Sequence, residues 1–187
     1  MKKQSKLKKL ILPLFIIFIM VFSIFGYFSD SNGNAEKKDY HGYKFVDSGQ
    51  GWITYKGDKQ IIIQTDPSIL QYYQDINIKL DDLNSAEKIY LTLNPQESVY
   101  GAANILLNQL QSLTSTQIIL ACTEDVEECS NIPLKTCDDA SQSVKIIQLR
   151  QSETQKMSYQ NNCLLIEGDY QNSLIFIDKL VLTLNNI

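Results

Sequence analysis

The chain has 187 residues, of which 44% are hydrophobic and 20% charged, with a formal net charge of −4 at pH 7. The charge is unevenly placed: five lysines precede position 10, whereas all 21 acidic residues follow position 28 against 12 basic ones, so that part carries −9. A surface of that sign repels phosphate backbones and anionic headgroups, which argues against both nucleic acid and anionic headgroups as partners.

Residues 1–9 form a basic stub with Lys2, Lys3, Lys6, Lys8 and Lys9, and residues 10–28 follow without a single charge. About 20 apolar residues, rising about 1.5 Å each, span a hydrocarbon core about 30 Å thick, so this run has the length of a transmembrane helix. Pro13 falls in its first turn, where a missing N–H has no helical partner to lose. A cleaved signal peptide is the competing reading, with a cut after Ala35. Its apolar region usually runs about 7–15 residues, shorter than this one. Lysines ahead of the segment predict a cytoplasmic N terminus and a C-terminal domain outside, a single-pass topology.

Residues 29–41 are polar and read as a tether. Residues 42–187 suffice for one domain with its own core. Alternating residues 43–47, 52–55 and 60–64, separated by turns at 48–51 and 56–59, predict an antiparallel meander. Thr65-Asp66-Pro67 ends it. Residues 68–74 read as one or two helical turns, and 77–80 as extended chain.

Residues 88–93 alternate Ile89, Leu91 and Leu93 on one strand face. Asn94-Pro95-Gln96-Glu97 then has the pattern of a helix start, with Asn94 as cap, Pro95 at the first position and Glu97 completing a capping box. Val99, Ala103, Leu106, Leu107 and Leu110 give that helix an apolar stripe down to about residue 113. Residues 116–122 form the next strand. Strand, helix and strand make a βαβ unit with parallel strands.

Residues 123–139 are an acidic loop. A strand at 144–149 follows, then a hairpin of 156–159 and 163–167 around Gln160-Asn161-Asn162. A helix at 171–184 ends the chain, with Leu174, Ile177, Leu180, Val181 and Leu184 on its buried face. The expected fold is α/β or α+β, with one mixed sheet of six to eight strands behind the N-terminal transmembrane helix.

All four cysteines, Cys122, Cys129, Cys137 and Cys163, fall in the part expected outside. An even number in an oxidising compartment reads as disulfides. The expected pairs are Cys129 with Cys137 as a local clip, and Cys122 with Cys163, because these two end and begin strands. Buried reduced thiols and a metal site are the alternatives, and the absence of a C-x-x-C weakens both a redox and a zinc motif.

The acidic-loop candidates are Glu124, Asp125, Glu127, Glu128, Asp138 and Asp139. Calcium takes several oxygen ligands, but the loop lacks the EF-hand spacing. A paired-acid mechanism needs two carboxylates held at a set separation, which spacing in a loop does not supply. His41, the only histidine, reads as a surface residue beside the tether. Gly49-Gln50-Gly51 leads into a strand, whereas a phosphate cradle leads into a helix. Trp52, with Tyr40, Tyr43 and Tyr55 nearby, reads as a core face of the meander, and Arg150 as one half of an ion pair. No cofactor is implied. The expected function is a membrane-anchored, non-enzymatic module that binds a protein or envelope partner. The alternatives are a tethered ectoenzyme using acidic residues and a thiol–disulfide protein.

Overall fold

The computed structural model describes residues 16–20 and 35–187. Contacts divide the chain into two units, Met1–Glu36 and Lys37–Ile187. The expected membrane span at 10–28 lies outside the described residues except for 16–20, which are helical and exposed. Among the described residues, no helix is long and apolar enough to cross a membrane.

The second unit opens with four antiparallel strands in sequence order: β1 (Lys37–Tyr40), β2 (Tyr43–Asp47), β3 (Trp52–Lys56) and β4 (Lys59–Ile63). The meander is thus the expected one, with one strand more. Residues 37–40, read as tether, pair with β2 because His41 and Gly42 close a two-residue turn at φ 48° and 84°. Positive φ at both turn positions matches the twist of the flanking strands. The inward face carries Tyr40, Phe45, Trp52, Thr54, Ile61 and Ile63, all buried. Trp52 is therefore core, as expected.

Asp66 accepts bonds from the Ser68 backbone N–H and hydroxyl at 2.8 and 2.6 Å, capping the short helix α1 (Pro67–Leu70). Helix α2 (Leu80–Asn84) begins where extended chain was expected. Its start is fixed by the Asp82 carboxylate, which accepts the Lys79 N–H at 2.8 Å.

The second sheet contains β5 (Lys88–Leu93), β6 (Gln117–Cys122), β7 (Val144–Gln151), β8 (Lys156–Gln160) and β9 (Cys163–Gly168), in the order β6-β5-β7-β9-β8. Strands β6, β5, β7 and β9 are parallel, and only β8 runs against its neighbour, through the Asn161–Asn162 turn. Helix α3 (Tyr100–Leu113) joins β5 to β6, so the βαβ unit is present. Its start is displaced. Asn94 accepts the Gln96 N–H at 3.0 Å in a separate turn, and Glu97 reaches β7 instead of closing a capping box.

Two sheets replace the single one expected. The connection from β4 through α1 and α2 leaves the first ladder complete, and no ladder hydrogen bond joins it to the second. Both sheets bury one face around α4 (Tyr170–Leu184), whose N-terminus is capped by Asp169 through the Asn172 N–H at 2.8 Å. Phe176, Ile177, Leu180, Val181, Leu182 and Leu184 are all buried, covering every side of the helix. A helix apolar all round belongs between two layers. It packs on α3 and β9 on one side. On the other it is bonded to the meander and the segment that follows it.

Its two buried charged residues make those bonds. The Asp178 carboxylate accepts the Gln64 and Thr65 N–H groups at 2.9 and 2.6 Å, catching the chain as it leaves β4. Lys179, 3% exposed, donates to Tyr40 Oη at 2.7 Å and pairs with Asp75 at 2.6 Å. Burial pushes the Asp178 carboxyl up to about 6, against the pull of its hydrogen bonds to Thr65 and Gln64.

A free aspartate titrates near 3.8, so between that pH and about 6 the unfolded chain has lost a proton that the folded chain keeps. Folding then takes up a proton, and this residue's contribution falls as pH rises through the window. Asp178→Asn retains an oxygen acceptor but removes the titration. Relative to wild type, the variant should gain about 2–3 kcal/mol between pH 4 and pH 7 in urea unfolding, at about 1.4 kcal/mol per pKa unit. A pH-independent difference between the two proteins refutes this.

Candidate functional site: the disulfide crossover and the carboxyl edge of the parallel sheet

Strand β6 ends at the carboxyl edge of the second sheet, and β7 must start at the opposite edge. Parallel strands usually make this return through a helix. Here residues 123–143 make it as irregular chain with two 3-10 turns, Glu127–Cys129 and Cys137–Asp139. The chain first adds to the β6 edge: the Cys122 N–H donates to Pro133 O at 2.9 Å, and the Lys135 N–H to Cys122 O at 2.8 Å. It then crosses the sheet face turned away from the helices. Lys135 sits 5.9 Å over the Tyr90 ring, and the Cys137 N–H donates to Gln148 Oε1 at 3.1 Å.

The disulfides are Cys122–Cys129, with Cα atoms 6.1 Å apart, and Cys137–Cys163, at 5.3 Å. Both expected pairs are therefore corrected. Cys122 lies on β6 and Cys163 on β9, with β5 and β7 between them. Three strand spacings of about 4.8 Å put them about 14 Å apart, twice the roughly 7 Å that a disulfide can bridge. Cys129 folds back onto the end of its own strand, and the crossover carries Cys137 to the start of β9.

The six acidic-loop carboxylates are exposed and do not converge. Glu124 Oε2 accepts from Asn94 Nδ2 at 3.2 Å, and Glu128 Oε2 from Gln96 Nε2 at 3.3 Å. These bonds tie the loop after β6 to the loop after β5. Asp125 and Glu127 project from the same segment into solvent. Asp139 is engaged elsewhere, with Lys135 at 2.8 Å and the Thr136 N–H at 2.9 Å. Lys135 holds its carboxyl below the usual carboxylate range. Asp138 lines a recess of about 300 Å³ with Thr136, Cys137, Gln148, Arg150 and Leu165. Among the described residues, no three His, Cys, Asp or Glu side chains are grouped to hold a metal ion.

The remaining sequence candidates have local roles. His41 forms the first hairpin turn and stacks on Tyr40 with ring centroids 4.1 Å apart. Gly51 closes a turn in which the Ser48 N–H donates to its carbonyl at 2.9 Å. Arg150 pairs with Glu167 at 2.6 Å.

Parallel sheets bind ligands in the crevice at their carboxyl edge, where successive connections leave in opposite directions. The order β6-β5-β7 puts that crevice between β5 and β7. This chain fills it with its own groups: Glu97 Oε2 accepts the Gln151 N–H at 2.6 Å, and Gln151 Oε1 accepts the Ser98 N–H at 3.0 Å. The open space lies one strand further on, a recess of about 420 Å³ lined by Gln151, Ser152, Glu153, Gln155, Asp169 and Asn172. None of these six was singled out from sequence. Their one signal is position: each ends or follows a strand that only the sheet order shows to be parallel.

No protein-family model matches the chain, and neither curated proteins nor solved structures give a match.

Non-reducing peptide mapping should recover Cys122 linked to Cys129 and Cys137 linked to Cys163; any other linkage refutes the crossover geometry. The second bridge closes the longer loop, with a separation of 26 residues against 7. Loop-closure entropy then predicts that Cys137→Ser with Cys163→Ser costs about 3 kcal/mol in chemical unfolding, and the corresponding change at Cys122 and Cys129 about 2 kcal/mol.

Proposed function

We propose that the chain is a single-pass membrane protein, anchored through residues 10–28, that presents residues 37–187 outside the cytoplasm as a non-enzymatic module binding a protein or envelope partner. The observation that carries this reading is the pairing of all four cysteines in the globular unit behind an uncharged 19-residue run with five lysines before it. Disulfides of this kind persist in oxidising compartments, and the lysines argue for the topology that delivers the unit there.

Two further features favour binding over catalysis. The crevice that would hold a nucleotide or small substrate is laced by Glu97 and Gln151. The acidic-loop carboxylates bond to neighbouring loops and share no common point. Glu124, Asp125, Glu127 and Glu128 instead form an exposed acidic rim suited to a basic partner surface.

Full-length protein expressed in a bacterial host should stay in the pellet on alkaline carbonate extraction. External protease should digest it, and it should offer no thiol to alkylation before reduction. Release by carbonate, or four free thiols in native protein, overturns the reading.

A further inference from the structure

The first sheet turns one face to α4 and the other outward, and the outward face is not an ordinary solvated surface. Register places Lys37 opposite Val46, Val46 opposite Ile53, and Ile53 opposite Ile62, so one row crosses all four strands. Three of its four members are β-branched and apolar, and the row spans about 14 Å. Tyr55, 61% exposed, stands beside it with Gln60 opposite, and Ile62 is 38% exposed. Lys44 and Asp39 face each other on the same side. A solvated sheet face normally alternates to polar residues; this one does so only at its margins.

Charge follows the same division. Residues 37–63 hold five lysines against three aspartates, a net +2, of which the outward face carries Lys37 and Lys44 against Asp39. Residues 64–187 hold seven basic against sixteen acidic residues, a net −9. The acidity that argues against anionic headgroups for the whole chain is thus absent from the meander. The meander is also the part of the unit nearest in sequence to residues 10–28, only eight residues beyond them.

We propose that the outward face of the first sheet, with Val46, Ile53, Tyr55 and Ile62 at its centre and Lys37 and Lys44 at its margin, docks on the anionic surface of the bilayer that anchors residues 10–28. This rests on the membrane reading given above. The chemistry fits an interface: tyrosine favours the headgroup level, lysines lay their aliphatic stems on apolar surface while their ammonium groups reach phosphate, and each lysine near an anionic leaflet adds about 1 kcal/mol of attraction. The acidic remainder of the unit would then be repelled from the same surface, which orients the domain.

The test uses the full chain in vesicles of phosphatidylcholine with or without phosphatidylglycerol. An environment-sensitive fluorophore is placed at Gln60→Cys, on the outward face, or at Glu153→Cys, on the carboxyl edge of the second sheet. Brominated lipid should quench the Gln60 label at least about two-fold in phosphatidylglycerol vesicles, and high salt or pure phosphatidylcholine should relieve this. The Glu153 label should be unaffected. Ile62→Glu in the Gln60-labelled chain should abolish the quenching, and the lipid comparison serves the same purpose if that variant does not fold. Retention after carbonate extraction without quenching at Gln60 overturns the docking and leaves the anchor standing. Loss from the vesicles overturns the anchor reading, and the docking with it. A concentration-dependent shift of the label without bromolipid quenching assigns the face to a second copy and overturns the proposal.

Discussion

Helix α4 is the element on which the globular unit depends, because it has no solvent side. Each of its fully buried Leu, Ile and Val side chains contributes about 2 kcal/mol through removal from water. Burial that complete needs apolar surface on both sides, and neither sheet supplies it alone. The meander and the parallel sheet form no ladder with each other. The helix between them therefore carries the cohesion of the unit. Asp178 and Lys179 make the joint specific. Asp178 takes the two backbone N–H groups at the end of β4, and Lys179 takes Tyr40 and Asp75. A buried charge left without its partner is strongly destabilising, so these bonds select one seating of the meander on the helix.

A second constraint acts on the opposite face of the parallel sheet. Helices α3 and α4 lie on one side, and no third helix covers the other. The return from β6 to β7 has to cover it with a stretch that is acidic and short of large apolar residues, and too polar to be held by burial alone. The disulfides provide the hold. One fixes the loop to the end of β6, and the other fixes its far end to the start of β9. Redox environment and fold are thereby linked: a reducing compartment would leave the crossover held by noncovalent contacts alone, among them the Gln148 bond, the edge pairing at Cys122 and the Glu124 and Glu128 bonds to the loop after β5.

Much of the local structure was legible in the sequence because it arises from local causes. Residues 88–93 alternate, and they form β5. The Asn161–Asn162 turn accepts positive φ, and the hairpin closes there. The segment read as the last helix forms α4, with Asp169 as its cap. The misreadings arose where a distant partner outbid the local one. Asn94 and Glu97 have the form of a capping box, but the Gln151 N–H offers Glu97 a better-placed donor on β7. Cys129 and Cys137 are near neighbours in sequence, yet their disulfides tie them to different strands of the sheet, β6 and β9. The recess at Gln151, Ser152 and Asp169 left no trace in the sequence, because its residues are polar residues of ordinary type at the ends of elements and in loops.

Sequence alone determined most strand and helix segments, β1 and α2 excepted, together with the four-cysteine content, the parallel βαβ unit and the separation of a basic stub from an acidic remainder. These follow from periodicity, turn chemistry and charge counts, which are properties of neighbouring residues. Tertiary structure alone decided the division into two sheets, the pairing of the cysteines, the closure of the β5–β7 crevice and the apolar row across the outward face of the meander. Each depends on strand order and register, which bring residues up to 139 positions apart, as at Tyr40 and Lys179, into hydrogen-bond contact. No local pattern encodes such distances.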